Sequence, residues 1–246
     1  MQKKIRNVNI NYEFSNIDKE ITLVFLHGWG QNIQMMLPVS DKYTKFFNIL
    51  VIDLPGFGNS EEPDYAWTIY DYAEAVKELI DELSIKKVIL LGHSFGGRIS
   101  LVYASLYGCE KLICFGSPYC KELSKLPLKN RIYKQIKKIF FLRWLANIMK
   151  NHIGSTDYKN ASPMMKGVLV NAVNLDLTAD VKKIKCPTLL IWGSLDTAVP
   201  VRRAYELEKL IPDAGVILYE GATHYAYLER LDSIVTVLDN FFKIRR

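Results

Sequence analysis

The 246-residue chain has no apolar run near the roughly 18 residues that a membrane-spanning helix needs. Its opening stretch, Met1 to Ile10, carries charges but no apolar h-region of a secretory signal. No membrane role is expected, and a cytoplasmic location is. Cysteine is scarce: Cys109, Cys114, Cys120 and Cys186 stand without C-x-x-C spacing, which predicts free thiols rather than a disulfide framework. Neither an H-E-x-x-H helix nor a Cys/His cluster is present, so no metal site is expected. No G-x-x-x-x-G-K-[ST] loop exists to cradle phosphates, and Gly56-Phe57-Gly58 lacks the third glycine of a dinucleotide fingerprint. No cofactor is therefore expected. Internal repeats and low-complexity linkers are also lacking, and there are only four histidines.

What is there is a core-rich chain, 49% hydrophobic, long enough for one large α/β domain or for a core with an inserted subdomain. Apolar runs at 21–26, 47–52, 88–91, 111–115, 188–192 and 216–219 read as strands buried on both faces, as in a parallel sheet covered by helices. Helical periodicity follows at about 69–83, 98–108 and 233–242. Strands alternating with helices predict βαβ units and a mostly parallel sheet. The rhythm breaks between 119 and 184. There Ile132, Tyr133, Ile136, Ile139, Phe140, Trp144, Leu145 and Ile148 recur at helical spacing, and Ser162-Pro163 reads as the start of another helix. The prediction is a core of 1–118 and 185–246 with a helical cap, 119–184, inserted over the strand ends.

The chemistry-bearing motif is Gly92-His93-Ser94-Phe95-Gly96, which ends the apolar run at 88–91 and opens a helix. A G-x-S-x-G between strand and helix is a nucleophile elbow, a turn so tight that a Cβ at either glycine would clash and the serine itself is strained. A serine hydroxyl is a weak nucleophile at neutral pH, so it needs a base within reach and the base needs an orienting acid.

Of the histidines, His27 reads as support of the loop after the first long strand, and His93 as the variable residue of the elbow, pointing away from where a base must be. His152 falls among predicted cap residues with no carboxylate motif nearby. That leaves His224, on a loop after the last strand, in the chain order Ser, then acid, then His that accompanies such an elbow. Asp196 follows the strand at 188–192 and is the candidate acid. Asp53 precedes the nucleophile and opens a Gly-Pro turn, while Asp176 and Asp180 read as helix caps. Acyl transfer also needs donors for the developing oxyanion, and the backbone N–H groups of Phe95 and Trp29 fit the two places.

With His27-Gly28-Trp29-Gly30, Asp53-Leu54-Pro55-Gly56-Phe57-Gly58, the elbow, Trp192-Gly193-Ser194-Leu195-Asp196 and Gly221-Ala222-Thr223-His224 in this order, the chain resembles the α/β-hydrolase fold superfamily over nearly its whole length. The HGWG loop, the DLPGFG turn and the short cap are similar to those of the pimeloyl-acyl carrier protein methyl ester esterases and their carboxylesterase relatives. The resemblance implies a serine hydrolase that cleaves a carboxylic ester through an acyl-enzyme. A serine at the elbow argues against the dehalogenase and epoxide hydrolase branches, which use aspartate. Thioesterases and carbon–carbon bond hydrolases share the triad and stay open, as does a ligand-binding protein that kept the fold without turnover.

The net charge of +6 is concentrated in the predicted cap. Lys121, Lys125, Lys129, Arg131, Lys134, Lys137, Lys138, Arg143, Lys150 and Lys159 face only Glu122 and Asp157 over that stretch. A solvated helix face accounts for such a run. The resemblance implies instead an acidic acyl-carrier protein docked beside the active site. Interleaved aromatics on the polar face are missing, so nucleic acid and membrane surfaces are not expected partners.

Overall fold

The structure is a computed structural model that describes residues 1–121, 157, 159 and 161–244. Among these residues eight strands form one sheet: β1 (Gln2–Ile5), β2 (Val8–Ser15), β3 (Ile21–Leu26), β4 (Asn48–Ile52), β5 (Lys87–His93), β6 (Lys111–Phe115), β7 (Thr188–Gly193) and β8 (Ala214–Tyr219). Their spatial order is β1-β2-β4-β3-β5-β6-β7-β8. The pairs β1/β2 and β2/β4 are antiparallel, and every pair from β4/β3 to β7/β8 is parallel. The mostly parallel sheet expected from the apolar runs is present, and the antiparallel hairpin at its edge is an addition that the sequence reading did not contain.

Helices follow as α1 (Leu37–Ser40), α2 (Ile69–Glu82), α3 (Phe95–Tyr107), α4 (Pro163–Asn174), α5 (Thr178–Val181), α6 (Arg202–Leu210), α7 (Ala226–Glu229) and α8 (Leu231–Phe242). Because side chains alternate across a strand, each central strand feeds two cores. Val24, Leu26, Leu90, Leu112, Leu190 and Trp192 pack with α2, α3 and α6 on one face. Leu23, Phe25, Leu91, Ile113, Phe115 and Ile191 pack with Val39 of α1 and with Ile234 and Leu238 of α8 on the other. A strand covered on both sides has no polar face, which is why these segments read as unbroken apolar runs.

Two features of this scaffold position the site. The chain leaves β3 toward β4 on one side and β5 toward β6 on the other, so a crevice opens at the carboxyl ends of β3 and β5, where this kind of sheet holds ligands. The second is the connection from β6 to β7, neighbouring parallel strands joined through residues 116–187. Most of the predicted cap, including His152 and the lysines from Lys125 to Lys150, lies outside the described residues.

Both described ends of that connection are fastened to the core by buried cations. Arg98 of α3 donates to the carbonyls of Ala172 (2.8 Å), Leu175 (3.1 Å) and Cys120 (3.4 Å). Arg203 donates to the carbonyl of Lys121 at 3.1 Å, and Leu177 N–H to Tyr119 at 2.8 Å. Burial lowers the Arg98 pKa to about 10. The expected capping role holds for Asp176, whose carboxylate accepts from the N–H and hydroxyl of Thr178. It does not hold for Asp180, which sits inside α5 and accepts from the Tyr70 hydroxyl at 2.7 Å.

Candidate active site

Ser94 occupies the turn between β5 and α3 with φ 50° and ψ −106°, a conformation that is strained for any residue with a side chain. The surroundings hold it there. A Cβ on Gly92 would lie 2.6 Å from the carbonyl oxygen of Gly96, and one on Gly96 would lie 2.3 Å from that of Leu26. Either would force the turn apart. The Gly96 N–H donates to His27 O at 3.0 Å, which presses the loop after β3 against the start of α3.

Asp196 and His224 approach from the ends of β7 and β8. The imidazole Nδ1–H of His224 donates to Oδ2 of Asp196 at 2.7 Å. The carboxylate side chain is fully buried, and its other oxygen accepts from the N–H groups of Ala198 (2.9 Å) and Val199 (2.8 Å). Three donors on one carboxylate fix its orientation, and the charge-assisted bond to Nδ1 fixes the tautomer, leaving Nε2 as a bare base.

The pair lies over the elbow. Ser94 N–H donates to Phe115 O at 2.9 Å, and the next residue, Gly116, is so close to the imidazole that a Cβ there would be 2.9 Å from His224 Nδ1 and 3.1 Å from Asp196 Oδ2. At the end of β6, Phe115 thus holds the Ser94 backbone while the next residue, Gly116, adjoins the His224–Asp196 pair.

The two residues predicted as oxyanion donors, Phe95 and Trp29, have their rings packed edge to face. Phe95 is the first residue of α3, where a backbone N–H has no helical acceptor. Trp29 N–H belongs to the Gly28–Trp29 peptide. The carbonyl of that peptide accepts from His27 Nδ1 at 2.7 Å and from Gln31 N–H at 3.3 Å. Since a trans peptide points its N–H opposite its carbonyl, these bonds aim the Trp29 N–H away from the loop interior. His27 also accepts from Leu54 N–H through Nε2 at 2.9 Å, and burial lowers its pKa to about 4. It supports the loop, as read from the sequence.

The rings of Trp29, Phe57 and Phe95 pack edge to face, with centroids 4.9 Å apart for Trp29–Phe57 and 5.3 Å for Trp29–Phe95. Trp29 and Phe57 bound a cleft of about 370 Å³ that Glu62 and, from the returning segment, Ser162 and Met165 also line. Asp53, read as a turn residue, is buried and accepts from the N–H groups of Ile33 and Asn59 and from the Asn11 side chain. It organises the loops behind this wall and takes no place beside Ser94.

Sequence reasoning missed one neighbour. His93 does not occupy the base position, but it is not a bystander: its ring lies 4.7 Å from that of His224 and faces the backbone carbonyl of the same residue. No local signal marks a contact between residues 131 positions apart.

The profile of the alpha/beta hydrolase family matches residues 23–236. A pimeloyl-[acyl-carrier protein] methyl ester esterase of Aliivibrio fischeri (strain MJ11) is 28% identical over 244 residues, covering 89% of this chain and 92% of the relative. The protein of the same name from Legionella pneumophila (strain Corby) is 27% identical over 256 residues, covering 95% and 100%. Among solved structures, the enol-lactonase from Burkholderia xenovorans LB400 superposes with a TM-score of 0.77 at 20% identity, covering 99% of this chain and all of that one. The chain belongs to the alpha/beta hydrolase family and is a hydrolase.

Proposed function

We propose that the protein cleaves carboxylic esters through an acyl-enzyme on Ser94. The observation that carries this reading is the 2.7 Å bond from His224 to the buried Asp196 carboxylate, set over Gly116 beside the strained serine. Ser94 Oγ attacks the ester carbonyl and passes its proton to Nε2 of His224. Asp196 holds Nδ1–H and stabilises the imidazolium. The oxyanion forms between the N–H groups of Trp29 and Phe95. His224 then returns the proton to the leaving alcohol, and water, deprotonated in turn by His224, releases the acid.

The substrate class is drawn from the named relatives. Their printed activity, on the methyl ester of a carrier-bound acyl chain, suits a cleft beside Trp29 and Phe57 and a strongly basic segment between β6 and β7. We take that segment, 119–184, as a cap over the crevice, and an acidic acyl-carrier protein as its partner. Four free thiols fit a reducing, cytoplasmic setting.

A fluorophosphonate should label Ser94, located by peptide mass mapping, and short p-nitrophenyl esters should be turned over. Ser94→Ala and His224→Ala should each lower kcat by about 10⁴-fold or more, and Asp196→Asn by about 10³ to 10⁴-fold, with the fold intact. Labelling elsewhere, or less than about a tenfold loss in Ser94→Ala, would overturn the reading.

A further inference from the structure

His93 is buried, 1% exposed, at the residue before Ser94, and it touches both the loop of His224 and the loop of Gln31. Its Nε2 lies 3.2 Å from the backbone carbonyl of His224. Its Nδ1 lies 3.2 Å from the side-chain oxygen of Gln31, and that oxygen accepts the Gly28 N–H at 2.9 Å. Gly28 begins the peptide whose other end is the Trp29 N–H. The ring is further held against Tyr225 and Tyr227, with centroids 5.4 and 4.8 Å away. A carbonyl can only accept, so the bond to His224 requires the proton on Nε2. Nδ1 of the neutral ring is then an acceptor and forms no hydrogen bond with the Gln31 oxygen, which takes the Gly28 N–H; on this side the ring is held by packing, so close that a Cβ on Gly28 would lie 2.7 Å from His93 Nδ1.

We propose that His93 is a positioning residue that ties the loop bearing the catalytic base to the loop bearing the oxyanion donor. Asp196 fixes the imidazole of His224 through its side chain; His93 fixes the same residue through its backbone. Without the second hold, the ring keeps its tautomer but the loop is free to shift relative to Ser94 and Trp29. A misplacement of about 1 Å between reacting groups costs up to about 10²-fold in rate. Binding of the substrate is untouched, because His93 lies beneath the crevice and not in it. This inference rests on the assignment of Ser94 and His224 made above.

The test uses the full chain carrying His93→Phe, which keeps a ring against His224 and Tyr227 but removes both nitrogen contacts. Its kcat on a p-nitrophenyl ester, normalised to sites titrated by the fluorophosphonate burst, should fall about 10 to 100-fold with KM within about threefold. The proton resonance of His224 Nδ1–H should broaden or vanish through faster exchange, which a merely structural role would not cause in correctly folded enzyme. Gln31→Leu should lower kcat in the same direction. Combined with His93→Phe it should add less than the product of the single effects, since the two act as one link. Should His93→Phe not fold, Gln31→Leu carries the test alone, and an unchanged kcat there overturns the proposal. So does a His93→Phe enzyme whose titrated sites turn over within about twofold of the parent. If the parent itself is not labelled at Ser94, the reading of the active site fails instead, which is a separate result.

Discussion

At the scale of single residues, buried histidines set the acid limit of this protein. Burial lowers the His27 pKa to about 4 from 6.5 and holds that of His93 well below its ordinary value, with the neighbouring His224 a further lowering influence on His93. In the unfolded chain both rings take up a proton near pH 6.5. Between that pH and the folded value the unfolded state binds more protons than the native one, so stability rises with pH in this window. The stability contributed by keeping His27 neutral is complete above about pH 6.5 and lost as pH falls through about 4. For a group this deeply buried the difference is on the order of 3 kcal/mol. The expected result is a Tm that declines from about pH 6.5 to pH 4. In His27→Gln the starting Tm should be lower, and the decline shallower by that contribution. Parallel slopes for the two proteins, read by calorimetry, would remove His27 from the account. The loss of the Nδ1 bond to Gly28 should also misorient the Trp29 N–H, so the same variant should be a slower esterase at neutral pH.

At the scale of elements, the fastening of the β6–β7 connection rests on Arg98. Its guanidinium serves three carbonyls from two separate segments, and none of its hydrogen-bond partners among the described residues is a carboxylate. Arg98→Met removes the side-chain donor from all three, leaving the Ala172 carbonyl only its longer bond from Leu175 N–H, at a cost of about 1 to 3 kcal/mol for each carbonyl not rescued by water. A loss of about 2 to 4 kcal/mol in urea unfolding is expected, with protease cleavage appearing first between residues 120 and 175. A stability unchanged within about 0.5 kcal/mol would show that α3 and the connection hold together by apolar packing alone.

The same elements show what the sequence could reveal. Central strands and their helices were legible because a strand buried on both faces spells a run such as Ile21 to Leu26, and α2 announces itself with Thr68 and Asp71 in a capping box. The β1–β2 hairpin was not. Its turn is Arg6-Asn7, with φ of 49° and 63°, a primed turn without the glycine that usually marks one. Ion pairs from Arg6 to Glu74 and Asp71 of α2 hold that turn instead. The alternation of Val8, Ile10 and Tyr12 with asparagines was the available signal. In the site, Ser94, Asp196 and His224 each follow a recognisable strand and could be read singly. The links between them through His93, Gln31 and Gly116 are contacts in space, and no spacing encodes them.

At the scale of the whole molecule, charge and chemistry are separable. The net charge of +6 comes largely from the segment between β6 and β7, while Ser94, His224 and Asp196 follow β5, β8 and β7. If that basic segment guides an acidic carrier protein, its pull acts over a Debye length, about 14 Å at 50 mM salt and about 4 Å at 500 mM. Electrostatic steering changes encounter rates far more than it changes a bond-making step. The kcat/KM for an acyl-carrier ester should therefore fall steeply between these salt concentrations, while that for a small neutral ester changes by less than about twofold. Replacing Lys134, Lys137 and Lys138 together by Glu should bring the low-salt rate on the carrier substrate down toward its high-salt value. The small ester should be cleaved as before, because Ser94, Asp196, His224, Trp29 and Phe95 are not touched. An equal salt response for both substrates, or a triple replacement without effect, would leave the lysines as a solvated surface and return the choice of substrate to the cleft of Trp29, Phe57 and Met165.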